Sequence, residues 1–230
     1  MARKRGRPRK RRAPQYRLGK ACALAGPLWE RWLQHVLATG PTWVYVAVLL
    51  THVLACRISE VLKLKRGDVD FKRGTVYVAP LKKGPAITKH VMKAAMNKLR
   101  MLRDKGVGKM RQRNKGMWGA VREMDRWKFP KALDDYLFPA SRSDSHTRYM
   151  NKNTACRAIS RIRKSFHAPV HVENKSIRTH SGRHRMVNDL KRCGVADGTA
   201  MHFARIVDRR TIGRGLRLVL FYFLVGKRGV

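Results

Sequence analysis

Acidic residues are scarce in this chain: 14 Asp+Glu stand against 53 Lys+Arg, for a net charge of +39. A chain so cationic repels itself unless a partner supplies counter-charge, and the two common polyanionic partners are nucleic acid and anionic membrane. Long hydrophobic runs are also lacking. Leu218 to Val225 is far too short to span a bilayer. Trp43 to Cys56 is longer, but it carries His52 and leads straight into a charged segment, which marks a buried core helix. Membrane is therefore not the expected partner. The basic N-terminus has no apolar core behind it, so no signal peptide is expected. Cysteine is sparse and scattered: Cys22, Cys56, Cys156 and Cys193 show neither Cys-x-x-Cys spacing nor zinc-finger pairing with histidine. They read as reduced thiols in an intracellular protein, and neither metal nor cofactor is expected.

What is present suffices for a folded domain. Hydrophobic residues make up 43% and aromatics 8% of 230 residues, enough for one ordinary domain and a tail. Residues 1–15 form a low-complexity arm in which Arg3, Lys4, Arg5, Arg7, Arg9, Lys10, Arg11 and Arg12 meet no acid. With those eight removed the remainder is still strongly positive, so the arm alone does not explain the basicity. The folded part is expected over residues 16–215, with a divergent apolar tail at 216–230.

Periodicity predicts a mainly α fold with a small β-hairpin, an α+β class. Leu28, Trp29, Trp32, Leu33 and Val36 recur at helical spacing, and Gly40-Pro41 separates them from a second helix through Val44, Leu50 and Leu54. A short amphipathic helix is expected from Arg57 to Leu64. Thr75-Val76-Tyr77-Val78 and Ala86-Ile87-Thr88 flank a Lys82-Lys83-Gly84-Pro85 turn, a hairpin signal. Helices follow around Val91–Leu102, Asn153–Phe166, Ile177–Cys193 and Thr199–Ile206. Residues 103–150, basic and loop-rich with Trp118 and Trp127 interleaved, read as an insertion or long connection.

In the arm, Arg5-Gly6-Arg7-Pro8 resembles an AT-hook. Gly6 lets the backbone approach a groove floor, Pro8 holds the arm extended, and the two arginines can lie along a narrow A·T minor groove. The alternative reading of the same run is a nuclear-localisation signal that would bind DNA only by charge, and the two roles are compatible.

Two separated segments carry the chemistry. Ala55-Cys56-Arg57-Ile58-Ser59-Glu60-Val61-Leu62-Lys63-Leu64, followed by Asp68-Val69-Asp70, resembles the first arginine box of the tyrosine recombinase (phage integrase) family. His180-Ser181-Gly182-Arg183-His184 resembles the second. Each is weak alone; in this order, with a basic hairpin between them, they are specific.

The resemblance implies a recombinase catalytic-domain fold acting on double-stranded DNA. In such enzymes a tyrosine attacks a phosphodiester without metal, leaving a 3′-phosphotyrosyl link and a free 5′-hydroxyl. Arg57 and Arg183 would then grip the phosphate oxygens, since guanidinium forks match phosphate geometry and preorganised cations stabilise the developing charge. His180 would donate to the phosphate or exchange protons with the nucleophile. A lysine in the hairpin turn, Lys83 or else Lys82, would protonate the leaving hydroxyl. Glu60 would orient Arg57, or else form an ordinary intrahelical ion pair, and His184 would support the site.

The resemblance runs from about residue 28 to 206 and then departs from the family. Register through Arg210-Thr211 puts Ile206 where a histidine or tryptophan belongs and Gly215 where the tyrosine nucleophile belongs. Neither side chain can do that chemistry. Downstream only Tyr222 offers a phenol, inside an apolar run, and His202 would serve only if the register slipped. In front, the basic arm stands in place of a separate core-binding domain. The implied partner is duplex DNA, with a homo-oligomer assembled on it. The implied location is the nucleus in a eukaryote, and otherwise the cytoplasm or nucleoid. An architectural protein of AT-rich DNA is the alternative to a recombinase.

Overall fold

The computed structural model describes residues 21–24, 26–79, 86–105, 127–140, 148–168 and 176–206. The AT-hook-like Arg5, Gly6, Arg7 and Pro8, the turn lysines Lys82 and Lys83, and Tyr222 lie outside them, as do Trp118 and Gly215.

Helix α1 (Pro27–Thr39) opens with proline in its first turn, where a missing N–H costs nothing, and buries Trp29, Trp32, Leu33 and Val36 as one stripe. Gly40 ends it and lies so close to Ile162 that a Cβ there would stand 2.4 Å from Ile162 Cδ1. Helix α2 (Thr42–Val53) is buried on nearly every face, from Thr42 through Val44–Thr51 to Val53, and forms the central pillar. It packs against α1 on one side and α6 (Ser181–Arg192) on another.

Helix α3 is shorter than its sequence predicts, Ile58–Val61 rather than Arg57–Leu64. Leu62 and Leu64 are both buried, at 1% and 2% exposure. Leu64 gives its carbonyl to the Leu137 N–H at 2.8 Å, so the chain must leave the helix to make this contact. Three antiparallel strands follow in the order β1 (Val69–Asp70), β2 (Thr75–Val78) and β3 (Ile87–His90), with Val76 opposite Val69 on one side and Lys89 on the other. The sequence predicts the hairpin; the third strand is added by Val69, whose side chain is buried. Asp70 Oδ1 accepts the N–H groups of Lys72 and Arg73 and closes the β1–β2 turn.

Helix α4 (Lys93–Lys105) buries Ala95, Met96, Leu99 and Leu102. Residues 127–140 have no helix or strand, yet they are pinned to the core. Trp127 Nε1 donates to Leu137 O at 2.8 Å, Gly67 N–H to Leu133 O and Arg66 N–H to Asp135 O, while Phe129, Leu137 and Phe138 are buried. Helix α5 (Lys152–Ile162) is capped by the Asn151 side chain and runs into a 3-10 turn at Arg163–Ser165.

Helix α6 begins at Ser181, four residues later than expected. Ile177 is buried, and the neighbouring Ser176 carbonyl is tied to the Cys22 N–H at 3.0 Å, which holds this stretch out of the helix. Helix α7 (Asp197–Ala204) ends at Ala204 rather than Ile206, with Arg205 as its cap. Among the described residues no helix is long and apolar enough to cross a membrane.

Candidate phosphate-binding site

The site forms where α3, α6, β3 and the end of α7 meet. Arg57 caps α3 in an extended conformation. Its own N–H donates to Glu60 Oε2 at 2.7 Å, and its Nη1 lies 3.5 Å from Glu60 Oε1. The Arg57 side chain is 47% exposed while that of Glu60 is 3% exposed, so a buried carboxylate steadies a guanidinium that faces solvent. Glu60 therefore does both things its sequence position allows: it forms the intrahelical pair and it orients Arg57.

Close approach of α6 and α2 sets the second arginine. A Cβ on Gly182 would lie 2.6 Å from Thr51 Oγ1, 3.0 Å from the His52 nitrogen and 3.2 Å from Trp29 Cη2, so only glycine lets α6 seat this deeply. Its neighbour Arg183 is 6% exposed, and Arg183 Nη1 is buried with no hydrogen-bond partner among the described residues. Burial, followed by repulsion from Arg57, pushes the Arg183 guanidinium down to about 10, with Glu60 opposing. A buried cation whose donor has no acceptor is a costly state that an incoming oxyanion would relieve.

His180 stands at the N-terminal cap of α6, half-buried. Burial, then the charges of His184, Arg183, Lys152 and Arg57, press its pKa down to about 4. The His184 ring lies 6.5 Å away, edge to face. His180 is therefore neutral at pH 7, able to accept or donate one proton. Free His180 refuses a proton between pH 6.5 and about 4, so its contribution to fold stability declines as pH falls through that window. A phosphate beside it would favour the imidazolium, so the bound form titrates higher and binding takes up a proton. Calorimetry in two buffers of different ionisation enthalpy, at about pH 5.5, should show proton uptake on DNA binding that His180→Asn loses. Equal uptake by both proteins would refute this placement of His180.

Two members of the site go beyond the motifs. Lys89, on the inward face of β3, is 2% exposed. Its Nζ donates to Leu54 O at 2.5 Å and to Phe203 O, and lies over the Phe203 ring. Burial lowers its pKa, with nearby Cys56 and Glu60 opposing. A lysine at an inward strand position was a visible signal, since β alternation places Lys89 on the face of Ile87. Arg205 gave no such signal; its Nη1 reaches Glu60 Oε1 at 3.4 Å. His202 is exposed on α7 and Ile206 is half-buried and aliphatic. Among the described residues no group of His, Cys, Asp or Glu could hold a metal ion.

A mainly helical domain with a three-stranded antiparallel sheet, bringing Arg57 at the start of α3 near Arg183 of α6, with His180 at the cap of that same α6, defines a catalytic domain of the tyrosine recombinase type. The chain belongs to the phage integrase family, which it matches over residues 29–204. The fold is shared with the XerA recombinase at TM-score 0.58 and 16% identity, covering 89% of this chain and 66% of that one. A lambda integrase dimer bound to a COC′ core site follows at TM-score 0.53 and 16% identity, with 86% and 59% covered. The Tn1549 transposon integrase in complex with transposon right end DNA gives TM-score 0.59 at 13% identity, with 90% and 67% covered. The chain thus spans about two thirds or less of the first two solved structures. No curated protein matches the sequence.

Proposed function

We propose that the chain binds duplex DNA by seating a backbone phosphate between Arg57 and Arg183, with His180 as a third donor and His184 behind it. The observation that carries this reading is the buried Nη1 of Arg183, without a hydrogen-bond partner among the described residues, beside the half-exposed fork of Arg57. Phosphate oxygens would supply the missing acceptors, and charge-assisted contacts of this kind are the strong ones.

Recombination chemistry belongs to the ancestry of the site, and strand cleavage by this chain is impaired. Ile206 offers no proton to a phosphate, and Gly215, at the register position of the nucleophile, has no side chain. Lys83, with Lys82 as alternative, is the general acid, and Tyr222 the remaining phenol. The arm at residues 1–15 adds minor-groove contacts through Arg5, Gly6, Arg7 and Pro8, and directs the chain to the nucleus in a eukaryote. The folded part is residues 16–215, a homo-oligomer forms on DNA, and no metal takes part.

Binding of a duplex by Arg57→Ala and by Arg183→Ala, against Arg161→Ala on the exposed face of α5, tests the reading. Each of the first two should weaken binding roughly tenfold to a hundredfold, from the loss of charge-assisted bonds of about 1.5–3 kcal/mol. Arg183→Lys, which keeps charge without the fork, should recover only part. If all three alanine variants bind alike, the chain is a generic polycation and the architectural alternative stands. Incubation with nicked duplex should leave no covalent adduct, whereas one lost in Tyr222→Phe would make that phenol the nucleophile.

A further inference from the structure

Helices α6 and α7 end in the same way. At the end of α6 the Gly194 N–H donates to Lys191 O and Val195 N–H to Leu190 O, both at 3.0 Å, with Gly194 at φ +76. At the end of α7 the Arg205 N–H donates to His202 O at 3.0 Å and Ile206 N–H to Met201 O at 2.9 Å. The residue in the left-handed position is now an arginine, with φ 54 and ψ 47. Glycine takes that conformation without strain and is its usual occupant. An arginine held there points to a use for the side chain.

The only other described non-glycine residue with positive φ is Ala55, two positions before Arg57. The two strained turns are fastened together: Lys89 Nζ donates to Leu54 O in one and to Phe203 O in the other. Ala55 also packs with Ala204 in a small apolar cluster. The joint brings Arg205 Nη1 to 3.4 Å from Glu60 Oε1, the same oxygen that Arg57 Nη1 approaches at 3.5 Å. A second contact, 3.5 Å to Ala79 O, places the fork at the end of β2. Three guanidiniums and the Lys89 ammonium then surround a single carboxylate, an excess that calls for an anion.

We propose that Arg205 is a third guanidinium of the phosphate site, supplying from the α7 turn the hydrogen-bond donor that its aliphatic neighbour Ile206 lacks. The assignment rests on reading Arg57 and Arg183 as the phosphate clamp. The ligand is a DNA phosphodiester, and Glu60 holds Arg57 and Arg205 side by side until it arrives.

Arg205→Gly separates this role from a structural one, because glycine relieves the left-handed strain while removing the fork. Duplex affinity by fluorescence anisotropy should fall roughly tenfold, and the salt slope of log K should shrink by about one. Arg205→Lys should keep the slope and lose part of the affinity. If Arg205→Gly melts below the assay temperature, Arg205→Asn, which also tolerates this conformation, takes its place. Unchanged affinity and slope in the folded variant overturn the proposal. Arg183→Ala run alongside tells the two failures apart. If it weakens binding and Arg205→Gly does not, Arg205 alone is misassigned; if Arg183→Ala binds normally, the clamp itself is refuted and Arg205 with it.

Discussion

Duplex affinity should fall about a thousandfold or more as salt rises from about 50 to about 200 mM, the drop expected of a protein neutralising at least six phosphates. With 53 Lys+Arg, 14 Asp+Glu and a net charge of +39, the chain carries cations far beyond those of the site. Exposed Lys63, Lys72, Arg73, Arg157 and Lys164 are available to the flanking backbone. Each phosphate they neutralise releases condensed counterion, so log K should decline linearly with log salt, at a slope of roughly −0.9 per contact. The buried arginine should behave differently. Arg183, once seated on its phosphate, is shielded from the ionic atmosphere, and its loss should lower affinity at every salt concentration. A titration in which affinity changes less than tenfold over that range would refute phosphate-dominated binding.

Helical periodicity sufficed for α1, α2, α4 and α5, because each buries a continuous apolar stripe, or in α2 nearly its whole surface, and needs no distant partner to declare itself. The failures share one physical cause. Helix α3 is cut short by Leu64 pairing with Leu137, α6 is delayed by Ser176 pairing with Cys22, and β1 exists because Val69 can pair with Val76. Pairings supplied by another part of the chain leave no trace in a segment's own periodicity.

The site divides in the same way. Arg57, Glu60, His180 and Arg183 were legible because two short segments preserve their spacing, and the structure brings these four together. Lys89 and Arg205 were not read. Their importance lies in bonds to Leu54, Phe203 and Glu60, each supplied by another part of the chain. Composition pointed to a polyanion, but could not show that the cations converge on one acid. That convergence distinguishes a site from a merely basic surface, since a scattered polycation has no reason to bury Arg183 with a donor unused.

Glu60→Gln should clearly destabilise the free fold. Its side chain is 3% exposed, and the carboxylate accepts from the Arg57 N–H at 2.7 Å while facing two guanidiniums through its other oxygen. Glutamine keeps the shape and can still accept the Arg57 N–H, but it removes the one negative charge among Arg57, Arg183, Arg205 and Lys89. Removing one partner from a buried ion pair leaves uncompensated charge, worth about 3–5 kcal/mol. Half-exposed Arg57 is partly screened by solvent, so the lower end, about 3 kcal/mol, is expected. For a chain of this size that corresponds to a fall of roughly 6–12 °C in Tm. DNA should reverse part of the loss, because a phosphate occupying the site restores the missing negative charge and binds the folded form alone. Thermal melts with and without a saturating duplex measure both effects. The variant should gain more from DNA than the parent does. A Tm within about 2 °C of the parent's, or an equal gain for both proteins, would mean that Glu60 does not hold the cations together.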